Sequence, residues 1–138
     1  MLKTPLYQTH VDAGARMVDF AGWSMPVMYT SIIDEHNWTR NHIGMFDVSH
    51  MGRLEIVGET AAESLEYLCT RDMVDLDPGH TRYCLMCNQQ GGILDDLMVS
   101  RLADDKFYVV CNAGNRTKII AHIENYLKPG ATMTDLTL

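Results

Sequence analysis

The chain has 138 residues, 46% of them hydrophobic and 21% charged, which is the size of one domain or one domain plus part of another and excludes wholesale disorder. Eleven basic residues against eighteen acidic ones leave a net charge of −7, which argues against nucleic acid held on a basic surface but leaves room for a local basic pocket. No apolar run nears the roughly 20 residues of a membrane helix, and MLKTPLYQTH lacks a signal's apolar core, so a cytoplasmic protein with no membrane and no nucleic-acid partner is expected.

Along the chain there is no internal repeat or low-complexity tract. TPLYQTHVDAGA predicts a short helix closed by Gly14. RMVDFAGWSMPVMY is apolar and aromatic but broken by Gly22 and Pro26, and reads as a strand followed by an ordered loop. SIIDEHNWTRNHIG starts with Ser31 and Asp34 at capping-box spacing and ends at Gly44, which predicts a helix. MFDVSHMG returns to extended chain. From residue 52 the pattern is regular. GRLEIVG reads as a strand, and ETAAESLEYLCTRD as a helix with Thr60 and Glu63 at capping-box spacing. TRYCLMCN and GILDDLMVSRL are strands joined by NQQGG, whose glycines allow positive φ. ADDK makes the next reversal and KFYVVCNA is a third strand. NRTKIIAHIENYL places Ile119, Ile120, Ile123, Tyr126 and Leu127 on one helical stripe. ATMTDLTL is a final extended segment. The order strand, helix, three strands, helix, strand resembles a split β-α-β arrangement, an α+β fold with an antiparallel sheet and helices on one face. The other face of such a sheet is free to bind.

GGILDDLMVS sets two aspartates side by side in an apolar strand. A strand alternates its faces, so Asp95 goes with Ile93, Leu97 and Val99, and Asp96 with Leu94 and Met98. One carboxylate is therefore aimed into whatever packs on that face. Two readings stand: a carboxylate held in a structural network, or one desolvated and prepared to accept a proton. Cys84 and Cys87 form a CxxC. In a strand, residues three apart face opposite sides, and no second pair accompanies them, so they read as buried thiols and no metal is expected. Asp47, Ser49 and His50 suggest a nucleophilic triad, but Asp47 and Ser49 share a face and no nucleophile elbow is present. A strand terminus pinned by side-chain-to-backbone bonds is the plainer reading.

The combination carries more than its parts. TPLYQTHVDAGARMVDFAGWSMPVMY, then DEH and Arg40, GMFDVSHMG, GGILDDLMV and YVVCNAGNRTK resemble, in the same order, the N-terminal portion of the glycine cleavage system T-proteins. That resemblance implies an aminomethyltransferase that takes an aminomethyl group from the lipoylated H-protein, releases ammonia and forms 5,10-methylenetetrahydrofolate from tetrahydrofolate. It implies that Asp96 is the catalytic carboxylate, orienting and activating a pterin-side nitrogen, and that Asp95 is structural. It places Met51, Tyr83, Met98, Val110 and Asn112 at the folate. For Met51, Met98 and Val110 plain core packing is the alternative; Asn112 either meets a ligand edge or caps the next helix. The resemblance also implies that residues 1–51 belong to an incomplete first α/β domain and 52–138 to a ferredoxin-like second domain. Members run to several hundred residues, so the expectation is a chain weak or inactive alone, with exposed edges open to self-association. A non-catalytic folate-binding or interaction module, or part of another folate-dependent demethylase-type protein, is the alternative.

Overall fold

A computed structural model describes residues 1–137, which divide into two compact units after His50. The first unit is built on a three-stranded sheet in the order β1-β3-β2, from β1 (Leu2–Lys3), β2 (Arg16–Phe20) and β3 (Trp23–Met28), with helices α1 (Tyr7–Asp12) and α2 (Ile32–Asn41). β1 runs parallel to β3 through Leu2 and Lys3, while β2 and β3 are antiparallel. The apolar stretch from Arg16 is thus a hairpin, not a strand followed by a loop. Its turn residues, Ala21 and Gly22, have φ of 52° and 82°, the positive pair that a two-residue hairpin matching the strand twist demands. The Gly22 N–H donates to Asp19 Oδ1 at 2.9 Å, which locks the corner. Pro26 is tolerated inside β3 because β1 ends opposite Ser24. Pro26 therefore has a strand neighbour on one side only, where a missing N–H costs little.

At the start of α2, Ser31 Oγ accepts from the Asp34 N–H at 3.3 Å, as the capping spacing predicted. The helix ends at Asn41, short of Gly44, with the His42 N–H closing on the Trp38 carbonyl. None of its residues is buried. Beyond it Ile43, Met45 and Phe46 stand 88%, 96% and 70% exposed.

The second unit comprises β4 (Gly52–Gly58), α3 (Ala61–Leu68), β5 (Thr81–Cys87), β6 (Ile93–Ala103), β7 (Lys106–Cys111), a 3-10 turn (Ala113–Asn115), α4 (Arg116–Tyr126) and β8 (Ala131–Asp135). Its strands lie in the order β5-β6-β7-β4-β8, every neighbouring pair antiparallel. This is the antiparallel sheet with helices expected from the sequence. Alternate residues of four strands, Leu54 and Ile56, Cys84 and Met86, Leu97 and Val99, Phe107 and Val109, form one buried cluster with Leu65 and Leu68 of α3 and Ile119 and Ile123 of α4. Each large apolar side chain there contributes about 1.5–3 kcal/mol relative to exposure. The capping box at Thr60 and Glu63 does not form. Thr60 Oγ1 donates instead to the Pro129 carbonyl at 3.0 Å, a long-range partner that displaces the local one. No helix among the described residues is long and apolar enough to cross a membrane.

Candidate functional site

The pleat of β6 separates the two aspartates as the alternation predicted. Asp95 shares the buried face, 3% exposed, while Asp96 lies on the open face of the sheet with Tyr83 and Met98. The strand register then fixes its neighbours. Tyr83 stands opposite Met98, Met98 opposite Val110, and Val110 opposite Arg53, one row across four strands. In the next row Leu85 faces Asp96. Asn112, one residue past β7, meets Asp96 in that row, and Met51 lies half-buried just before Gly52, outside the paired strands. Five of the six residues singled out in the sequence, Met51 apart, therefore occupy two adjacent rows of one face.

Hydrogen bonds fasten this corner. The Tyr83 hydroxyl donates to Asp96 Oδ2 at 3.0 Å, and Asn112 Nδ2 donates to Asp96 Oδ1 at 3.0 Å and to the Asp96 carbonyl at 2.9 Å. The bond to Asp96 pushes the Tyr83 phenol up from its ordinary value. Asn112 also holds the other aspartate: its N–H donates to Asp95 Oδ2 at 2.9 Å and its Nδ2 to Asp95 Oδ1 at 3.0 Å. Asn115 Nδ2 donates to Asp95 Oδ1 at 2.5 Å. Asp95 thus ties the turn ahead of α4 to the sheet, and every one of its contacts is internal. Asn112 does not cap the turn with its side chain; it clamps both aspartates.

One expectation is corrected. The strand's apolar setting predicts a desolvated active carboxylate, yet Asp96 is exposed and the dry carboxylate is Asp95. The physical cause is simple: the unit's helices cover one face of the sheet, and Asp96 is on the other. What the open face offers is geometry. The two Asp96 oxygens each accept one bond within the corner, which leaves lone pairs for a further N–H donor. Met98 and Val110 supply an apolar floor one row away.

Arg53 was not singled out in the sequence, although an arginine in the apolar alternation of GRLEIVG is a signal of its own. It ends the Tyr83 row, donates from Nη2 to the Thr137 carbonyl at 2.6 Å, and has a buried Nε without a partner among the described residues. In the first unit no Ser49 triad forms. Asp47 Oδ1 accepts from the Ser49 N–H at 2.9 Å, and Oδ2 accepts from Thr4 Oγ1 at 2.7 Å and pairs with His10 Nε2 at 2.9 Å. His50 instead sets its ring edge-on to Phe20, with centroids 5.6 Å apart. Asp47 pins its loop, as the plainer reading held.

Comparison with known proteins bears on this face. A family model described as the GCVT N-terminal domain matches residues 6–138. An aminomethyltransferase of Bdellovibrio bacteriovorus is 49% identical over 136 residues, covering 98% of this chain and 38% of its own length. A crystal structure of glycine cleavage system aminomethyltransferase T from Bartonella henselae matches with a TM-score of 0.94 and 39% identity, over 98% of this chain and 38% of that one. The chain spans less than two fifths of the length of these relatives.

Proposed function

Because this chain belongs to the GCVT N-terminal domain family, that of the aminomethyltransferases of the glycine cleavage system, we propose that its open sheet face holds tetrahydrofolate for aminomethyl transfer in the whole protein. The observation that carries this reading is the Asp96 carboxylate, gripped by Tyr83 and Asn112 with acceptor capacity to spare, beside the apolar pair Met98 and Val110. A reduced pterin is a flat heterocycle rimmed with N–H groups, and it suits a floor of that kind with an anion at one edge. Asp96 accepts a hydrogen bond from the folate nitrogen, orients its lone pair, and offsets the positive charge that develops as the nitrogen takes the methylene carbon. The carbon arrives on the lipoyl arm of the H-protein, the amine leaves as ammonia, and the lipoyl sulfur is released as a thiol. Tyr83 and Asn112 act through Asp96 by fixing its rotamer.

The exposure of Asp96 favours a second reading for the 138-residue chain by itself: it binds folate without turnover. An open site leaves water competing for the carboxylate, and positioning by one face alone gives only part of the required restraint. Calorimetric titration with tetrahydrofolate tests the binding claim. Asp96→Asn should weaken binding about tenfold, the worth of a hydrogen bond to a charged group discounted for exposure. Equal affinity of the variant overturns the role of Asp96. Ammonia release from aminomethylated H-protein then separates the two readings. Release at an enzymatic rate by this chain alone would overturn the second.

A further inference from the structure

The cysteines of the second unit pair differently from the CxxC in their sequence. Cys84 belongs to the buried core, whereas Cys87 sits beyond a register shift and is half-buried. The thiol that meets Cys84 is Cys69, just past the end of α3. Cys69 makes an isolated antiparallel bridge to Met86. Cross-strand partners share a face, and so do residues two apart, so Cys69 and Cys84 are diagonal neighbours on the core side of β5. Next to the bridge, the Thr70 N–H donates to the Leu85 carbonyl at 3.0 Å and the Leu85 N–H to Thr70 Oγ1 at 3.0 Å.

The two thiols act on each other's titration. The Cys84 sulfur and burial raise the Cys69 thiol from its ordinary value, while Cys69 and the charge of Arg71 lower Cys84 against its burial. Burial also pushes the Cys111 thiol up, to about 11. Access is one-sided. Cys69 lines an open concavity of about 260 Å³ together with Tyr67, Thr70, Cys87, His122 and Tyr126; Cys84 is 2% exposed.

We propose that Cys69 and Cys84 form a reversible disulfide site, entered from the concavity at Cys69 and resolved from the core by Cys84. The oxidant is a low-molecular-weight disulfide. Cys84, the more acidic of the two, first gives its proton to solvent. Cys69 then passes its proton to the Cys84 thiolate while its own sulfur attacks one sulfur of the incoming disulfide. The small thiolate that leaves is protonated by solvent, which leaves a mixed disulfide on Cys69. Cys84 then loses its proton to solvent and attacks the Cys69 sulfur, expelling the second small thiol. Two protein thiols are oxidised and one small disulfide is reduced to two thiols, so electrons and protons balance. Diagonal positions across an antiparallel pair lie about 7–8 Å apart at Cα, just beyond the roughly 7 Å a disulfide accepts without backbone movement. The Cys69 segment is held to β5 by a single bridge rather than a ladder, so it is the part that moves. A link formed that way reverses readily and is not a permanent staple.

The probe is oxidised glutathione, added to the full chain, with free thiols counted after acid quench and denaturation and the links mapped by mass spectrometry. The wild-type chain should lose two of its four thiols, yield one peptide pair joining Cys69 to Cys84, and recover all four on treatment with dithiothreitol. Cys84→Ser should stop at a single glutathione adduct on Cys69. Cys87→Ser should behave as wild type. A Cys84–Cys87 link, an adduct confined to Cys87, or retention of all four wild-type thiols overturns the proposal without recourse to any variant.

Discussion

Asp95 and Asp96 are neighbours in sequence with opposite energetic roles. Asp95 is buried and takes bonds from the Asn112 backbone and from the side-chain amides of Asn112 and Asn115. Removing it strands those donors in a region without water, and each lost partner costs about 1–3 kcal/mol. Asp95→Ala should therefore destabilise the chain by about 3 kcal/mol or more. Asp96→Ala faces solvent and should shift stability by no more than about 0.5 kcal/mol. Urea unfolding of both variants checks the contrast, and equal losses would mean that the two faces are not separated as described. The separation itself was legible from the period of the strand. Which face is wet was not, because that depends on where α3 and α4 come to rest. The Cys69–Cys84 pair was equally hidden, since fifteen positions separate residues that only a bridge brings together.

Among the elements, the β2–β3 hairpin shows why a local signal failed. A glycine and a proline in one apolar run read as breaks, yet Gly22 is the second turn residue and Pro26 sits where β3 lacks a second neighbour. The turn also carries a defect: Ala21 adopts φ 52° with a β-carbon that disfavours it, at about 1–2 kcal/mol. Asparagine tolerates that region better, so Ala21→Asn should raise unfolding stability by about 0.5–1 kcal/mol, measured by the midpoint in urea. A drop would show that the positive φ is not what limits this turn. The regular strands from residue 52 onward were legible because period two, turn glycines and helix stripes agree there. The box at Thr60 failed because Pro129 outbid a local partner from far along the chain.

For the molecule as a whole, acid is the informative variable. Burial acts to raise the Asp47 carboxyl, but its bonds with His10, Ser49 and Thr4 outweigh that and hold it well below the usual carboxylate range. Asp135 in the second unit is likewise lowered, Arg116 and Thr137 prevailing over burial. A carboxyl depressed by folding contributes stability that is fully present above the unfolded value of about 4 and is lost as pH falls through the folded value. Stability should thus hold near neutral pH and decline below about 4. Asp47→Asn should be weaker at neutral pH and lose less on acidification, which unfolding curves taken from neutral pH down to about 3 will show. An unchanged acid slope in the variant would remove Asp47 from the account. The exposed Ile43, Met45 and Phe46 belong to this scale too. An apolar run so open is unusual for a monomeric surface.

The amide of Asn112 grips one aspartate from each side of the sheet. That makes it a hinge pin between the wet face and the root of α4. Whatever tugs on the outer acid must also slacken or tighten the mooring of the helix, so occupancy outside is felt as rigidity within.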